Sequence, residues 1–450
     1  MNYYTMLMKP GKAGSDDPEA VRKFITDHQC VGVGENDDGK PWPGSSADNP
    51  KDGDVIVVRS GGSPWCLLTA AGGSWKKVNQ PFPAPFDWVA YTYEVRVLGW
   101  NESDNWSKCG LSFQGCQHTF EQIRKQETIQ AVTGLYGALV KGKEVGDLCG
   151  LLRANGQIVL TGAPGTGKTH LARQIAAKMI GCDDVDKLES HPQYRFVQFH
   201  PSYDYSDFVE GLKPDDKNGD LTFKRRDGAF KEFCERARRE PEKDFVFVID
   251  EINRADLSRV FGELLFAIEP GYRGKAAVST QYGYLNDDAR FSVPEKVYVI
   301  GTMNDIDRSV ESIDFALRRR FAWVEIKATP DRFMAVLDDV KSADKLTGDE
   351  FDMAKKKYTA LNEKVGSTPG LGESFQIGPA YFRKLTDYAA GERFAKLWSN
   401  HLGPLLREYL RGMPKATDVW EGLREAYGAE KSLGTGTTAP RSSGPDTPGA

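Results

Sequence analysis

The sequence predicts an α/β fold with a parallel sheet at its centre. Helix and strand signals alternate from residue 126 to residue 330, the pattern of strands joined by crossover helices. An apolar strand at 157–160 runs into a glycine-rich loop and then into a helix with Leu171, Ala172 and Ile175 at helical spacing. A second, wholly apolar run at 245–249 ends in two adjacent carboxylates, Asp250 and Glu251. A continuous apolar run of that length reads as a strand covered on both faces.

The first of these strands leads into Gly162-Ala163-Pro164-Gly165-Thr166-Gly167-Lys168-Thr169, with His170 opening the helix. This is a P-loop in the strand–loop–helix setting that it requires. Its glycines let backbone N–H groups approach phosphate oxygens, and the helix N-terminus adds partial positive charge. Lys168 is placed to neutralise the β- and γ-phosphates, and Thr169 to ligate Mg²⁺.

The carboxylates at the end of the second strand lie where open α/β sheets gather ligand chemistry. Asp250 is the second candidate Mg²⁺ ligand, and Glu251 the group that polarises an attacking water. A third apolar run, 296–300, leads through Gly301, Thr302 and Met303 to Asn304. That amide is placed to hydrogen-bond a γ-phosphate or the water. Downstream, Arg318, Arg319 and Arg320 follow one another at the end of a short helical stretch. Three adjacent arginines cannot all be buried, so this end can offer a cation to a phosphate on a neighbouring subunit. A solvated basic face is the plainer alternative.

The chain has 450 residues and a net charge of −5. That length suggests two or three domains. The charge excludes a generic polycation, so any nucleic-acid contact must come from a local patch, a pore or a pocket. No apolar run approaches the ~20 residues of a membrane span, and the N-terminus lacks the pattern of a secretory signal. A cytoplasmic protein without a membrane association is expected. The seven cysteines include no Cys-x-x-Cys pair, which argues against a zinc site or a disulfide framework.

Composition divides the chain into five parts. Residues 1–106 hold six of the nine tryptophans, and short apolar runs between turn-rich stretches predict a small β-rich domain. Residues 107–125 read as a linker, 126–330 as the α/β nucleotide-binding domain and 331–428 as mostly helical. The tail 429–450 is rich in Gly, Ser, Thr and Pro and reads as disordered.

Four segments sharpen these motifs into a family resemblance. Phe199-His-Pro-Ser-Tyr203-Asp-Tyr205-Ser-Asp207-Phe208, the Asn253-Arg254 pair that follows the carboxylates, Met303-Asn304-Asp305-Ile306-Asp307-Arg308-Ser309 and Ala316-Leu317-Arg318-Arg319-Arg320-Phe321 resemble the McrB branch of the AAA+ proteins. Phe375-Gln376-Ile377-Gly378-Pro379-Ala380-Tyr381-Phe382 is similar to that branch's Ile-Gly-His-Ser-Tyr-Phe segment in the helical lid. Pro379 and Ala380 replace His-Ser there, and Asp305-Ile306 replaces Thr-Ala, so this chain lacks the family's side chains at these positions.

The resemblance implies an AAA+ core with a C-terminal helical lid and hydrolysis of ATP or GTP with Mg²⁺. It also implies a homo-oligomeric ring, expected to be a hexamer, with the arginines acting between subunits. The implied partners are a separate McrC-like nuclease subunit and DNA, expected to be modified, in a restriction system that acts in phage defence. No Pro-Asp…(Asp/Glu)-x-Lys nuclease pattern follows Asp215. The alternative is a MoxR-like ATPase that remodels protein complexes. The N-terminal part resembles PUA-like, EVE-type barrels, which implies a pocket for a flipped base with Trp42, Trp65, Trp75 and Trp88 as candidate walls. For any single one of these tryptophans, a place in the core of a small barrel is the favoured reading.

Overall fold

The computed structural model describes residues 3–7, 18–33, 50–51, 53–60, 63–71, 76–80, 91–100, 120–123, 126–217, 220–275, 277–285, 290–306, 315–342 and 345–429. The central sheet has five parallel strands in the order Ala322–Glu325, Gln157–Thr161, Val297–Thr302, Phe245–Asp250, Tyr194–Gln198. Alternate residues along each strand serve opposite cores, as a pleated strand requires. Phe245, Phe247 and Ile249 join Phe208, Phe230, Phe233 and Phe261 on one face. Val246 and Val248 join Leu171, Ala172, Ile175 and Ala176 of the helix Lys168–Ile180 on the other. Cover on both faces explains why these strands read as unbroken apolar runs.

The P-loop strand Gln157–Thr161 lies between Val297–Thr302 and Ala322–Glu325, so its loop emerges from the middle of the sheet. The acidic strand Phe245–Asp250 is one place further along, beyond Val297–Thr302. All five strands point the same way, so the P-loop, Asp250 and Thr302 share one end of the sheet.

A helix of thirty residues, Gln126–Asn155, precedes the P-loop strand. Its C-terminal half packs Val145, Leu148, Cys149 and Leu152 into the core. Its N-terminal half turns Val132, Leu135 and Leu139 towards Val55, Val57 and Leu67 of the N-terminal sheet. That sheet runs in the order Cys30–Val33, Tyr91–Trp100, Ser63–Ala70, Val55–Ser60, Tyr3–Leu7, Phe120–Gln122, with Lys76–Lys77 paired to Tyr91–Trp100. Its neighbours are antiparallel except for Tyr3–Leu7 on Val55–Ser60. The helix Pro18–His28 covers the other face through Val21, Phe24 and Ile25. Phe120–Gln122 comes from the stretch read as a linker and forms a strand of this sheet.

After the central sheet the chain is helical. Pro330–Ser342, Gly348–Ser367, Gly403–Tyr409 and Ala416–Tyr427 enclose a core that includes Phe333, Phe351, Tyr358, Phe382 and Trp398. Thr347 opens the second of these helices with a capping box to Glu350. Among the described residues no helix is long and apolar enough to cross a membrane.

An antiparallel hairpin, Glu210–Lys217 paired with Asp220–Asp227, projects after the second strand of the central sheet. Asp215 lies on it, ion-paired with Lys224 at 2.6 Å and Arg226 at 3.5 Å. These pairs hold its carboxyl below the usual range, the Lys224 hydrogen bond foremost.

Candidate functional site

Lys168 opens the helix behind the P-loop and is buried, with 7 % of its surface exposed. Its ammonium donates to Gly162 O at 2.8 Å, Ala163 O at 2.9 Å and Asn304 Oδ1 at 2.9 Å. The loop holds this shape through left-handed backbone at Gly165 (φ +77°) and Gly167 (φ +85°), where only glycine avoids a steric cost. At Gly162 (φ +137°) an added Cβ would collide with Ile326 O, so the loop's root has no room for a side chain.

Asp250 Oδ1 accepts two hydroxyl hydrogen bonds, from Thr169 at 2.7 Å and Thr302 at 2.6 Å. Thr302 Oγ1 also accepts from the Glu251 N–H at 3.3 Å, so one threonine fixes both carboxylate-bearing residues. Glu251 adopts left-handed backbone (φ +52°, ψ +46°) where the strand turns into a short 3₁₀ helix, Ile252–Arg254. A non-glycine residue pays roughly 1–2 kcal/mol for that conformation. The turn carries its side chain back over the sheet end. Glu251 Oε1 accepts from Asn304 Nδ2 at 3.0 Å. Its Oε2 is buried and accepts no hydrogen bond, although Arg254 Nε stands 3.3 Å away.

Lys168, Asn304 and Glu251 thus form one bonded chain beside the Thr169–Asp250–Thr302 group. The donor set suits Mg²⁺: a hydroxyl and a carboxylate, both hard oxygens, lie in contact at a phosphate loop. Among the described residues no group of three or more His, Cys, Asp or Glu side chains converges. A cation held by one or two protein oxygens, with phosphate and water for the rest, fits that arrangement.

The helical segment touches the P-loop directly. Gly378 N–H donates to Pro164 O at 3.1 Å and Ala380 N–H to Gly165 O at 2.9 Å. Tyr381 lies over Gly165, and a Cβ there would come within 2.9 Å of the ring. Burial pushes the Tyr381 phenol up.

The core and this segment both match known families. Residues 157–321 match the AAA domain of the dynein-related subfamily, and residues 354–418 match the alpha-helical lid domain of McrB. The chain is an McrB-like AAA+ protein. It is 39 % identical over 273 residues to the EcoKMcrB subunit of the type IV methyl-directed restriction enzyme of Escherichia coli strain K12, covering 58 % of this chain and 56 % of that one. It is 24 % identical over 196 residues to component YdiS of the type II restriction enzyme BsuMI of Bacillus subtilis strain 168, covering 37 % of this chain and 55 % of that one. The chain therefore spans about half the length of the curated relatives it matches.

In this AAA+ core the three arginines occupy different surroundings. Arg320 has 12 % of its side chain exposed and pairs with Glu269 at 2.9 Å, while its carbonyl accepts from Gln157 Nε2 at 2.5 Å. Arg319 is 70 % exposed and stands 3.6 Å from the same Glu269. Arg318 is exposed, its guanidinium 5.4 Å from the Trp323 ring centroid. His170 is exposed and bonds to Gln174 at 2.9 Å.

The departures from the McrB-like pattern have plain outcomes. Pro379 and Ala380 leave the seat on the P-loop intact because backbone N–H groups make it. Ile306 packs against the lid core. Asp307, Arg308 and Ser309 lie outside the described residues, as do Trp42, Trp75 and Trp88. Trp65 lies on the strand Ser63–Ala70, but its side chain is outside what is described. Thr302 escaped the sequence reading although it is a polar residue ending an apolar strand. Arg332, which also reaches the P-loop, and its partner Glu144 gave no local signal.

Proposed function

We propose that this chain is the nucleoside-triphosphate-hydrolysing motor of a modification-dependent DNA restriction system, which recognises and translocates DNA while a separate McrC-like subunit carries the nuclease. The observation that carries the reading is the bonded network from Lys168 through Asn304 to Glu251, beside the Thr169–Asp250 pair, in an AAA core followed by an McrB lid. The lid match and the restriction relatives favour it over a MoxR-like remodeller of protein complexes.

In this reading the backbone N–H groups of residues 162–169 and the Lys168 ammonium bind the phosphates. Glu251 takes the proton of the attacking water, with Asn304 holding Oε1 in place and Oε2 left to accept. Thr169 and Asp250 would hold Mg²⁺, which would supply charge neutralisation to the phosphates. The protein works as a homo-oligomeric ring, a hexamer, in which Arg318 or Arg319 reaches the neighbour's γ-phosphate. Arg320, tied to Glu269, braces the segment. The N-terminal β-sheet unit reads the DNA, with Trp42, Trp65, Trp75 and Trp88 as candidate walls of a pocket for a modified base.

Turnover of ATP and of GTP by the full chain, with and without the McrC-like subunit and modified DNA, tests the reading and decides the base. Hydrolysis of at least one nucleotide is expected, lost with binding in Lys168→Ala. A folded chain that turns over neither, with or without the partner, would overturn it.

A further inference from the structure

Three consecutive P-loop carbonyls are held from outside. Pro164 O accepts from Gly378 N–H at 3.1 Å and Gly165 O from Ala380 N–H at 2.9 Å. Thr166 O accepts from the side chain of Arg332, through Nε at 2.9 Å. A trans peptide is planar, with its carbonyl and the next N–H pointing in opposite directions. Fixing these oxygens therefore turns the N–H groups of Gly165, Thr166 and Gly167 towards the inside of the loop, where a phosphate binds. Thr166 N–H makes only a long 3.4 Å contact there, with Ala163 O.

Arg332 is the one side chain among the three donors, and it is fixed on several sides. It lies in the first turn of Pro330–Ser342, its own N–H donating to Thr329 Oγ1 at 3.1 Å. Its Nη1 donates to Glu144 Oε2 at 2.5 Å, from the long helix Gln126–Asn155. It is 8 % exposed; burial works against its charge and Glu144 works for it. A Cβ on Gly167 would meet Arg332 Nη2 at 3.5 Å and Val336 Cγ2 at 3.4 Å, so the guanidinium lies against the loop backbone. A planar guanidinium serves a carbonyl and a carboxylate at once in fixed directions, which a lysine ammonium does not.

We propose that Arg332, held by Glu144, is a positioning residue for phosphate binding: it sets the Thr166–Gly167 peptide plane and so ties affinity for the phosphates to the seating of the lid. This rests on the nucleotide reading of the site given above. Arg332 touches no reacting atom, so its effect falls on binding and not on the chemical step.

The test uses Arg332→Lys, Glu144→Gln and the double variant in the full chain, with steady-state kinetics on the nucleotide that the wild type hydrolyses and binding of its diphosphate. Arg332→Lys is expected to raise KM and the diphosphate Kd about tenfold, with kcat at saturation within about twofold of wild type. Glu144→Gln shifts both the same way by less, and the double variant loses no more than Arg332→Lys alone, because Glu144 acts through Arg332. A merely structural role would lower the active fraction, and with it kcat, at unchanged KM. Wild-type KM and Kd in Arg332→Lys would overturn the proposal, and so would losses that add in the double variant. Should Arg332→Lys fail to fold, Glu144→Gln decides alone, and an unchanged KM there overturns it. A wild type that binds no nucleotide would instead sink the reading of the site.

Discussion

Asn304 donates from Nδ2 to Glu251 Oε1 at 3.0 Å, and the other end of the same amide accepts from Lys168 at 2.9 Å. A primary amide suits this place because it offers a donor to the carboxylate and an acceptor to the ammonium at once. Asn304→Ala leaves Glu251 without its orienting bond. We expect turnover to fall roughly 10- to 100-fold, the loss of one oriented hydrogen bond in the transition state, with nucleotide affinity changed much less. Steady-state kinetics beside equilibrium binding measure the split. A kcat within twofold of wild type would remove Asn304 from the mechanism.

Glu251→Gln keeps the size and the Asn304 contact but cannot take a proton. Turnover should drop by at least about a hundredfold, the lower range for a general base, while nucleotide still binds. Glu251→Gly should lose turnover as well, yet gain about 1 kcal/mol of fold stability by relieving the left-handed backbone. Chemical denaturation of the two variants side by side checks this. A glycine variant less stable than the glutamine one would show that the backbone there is not strained.

The arginines should separate. Arg320→Ala leaves the half-buried Glu269, among the described residues, with only the more distant Arg319 and should cost roughly 1–3 kcal/mol of stability. Arg319→Ala removes an exposed group and should change stability by less than about 0.5 kcal/mol. If Arg319 acts on a neighbouring subunit, its variant regains turnover when mixed with Glu251→Gln subunits. Equal thermal shifts for the two variants, or no recovery on mixing for either Arg318→Ala or Arg319→Ala, would contradict this division.

Acid should act on the hairpin root. Glu210 is completely buried and pairs with Lys231 at 2.5 Å, and its Oε1 accepts from the Tyr282 N–H at 2.7 Å. Burial pushes its carboxyl up, but the hydrogen bonds from Lys231, Thr280 and Tyr282 outweigh that and hold it below the ordinary value of 4.5. A carboxyl depressed on folding contributes stability above its unfolded pKa and loses it as pH falls through the folded one. Wild type should therefore lose stability below pH 4.5. Glu210→Gln should be weaker at neutral pH by roughly 1–3 kcal/mol and flatter in acid. Parallel pH slopes in urea titrations would refute the assignment.

The nucleotide loop and the acidic strand end were legible because each is a local pattern whose conformation glycines and apolar runs dictate within a few residues. A β-rich N-terminal part was legible for the same reason, and strands lie there at Val55–Ser60, Ser63–Ala70 and Tyr91–Trp100. The helix Pro18–His28 was missed in a region read as β-rich, although Pro18 and the spacing of Val21, Phe24 and Ile25 announce it. Asn218-Gly219, the strongest short-range hairpin signal, marks the Glu210–Asp227 hairpin, which the sequence reading passed over. The Glu144–Arg332 contact joins residues 188 positions apart. Each looks like an ordinary helix-surface charge, so nothing local reveals it.

Gly378 is so close to the P-loop that a Cβ on it would collide with Gly165, whereas the adjoining donor, Ala380, contributes only its amide. Evolution therefore meets two very different sites side by side. The glycine is frozen by shape, while the half-buried position 380 stays open to exchange as long as the main chain keeps its path. The lid can thus remain docked when the side chain at 380 changes, because its grip on the loop is made by main chain.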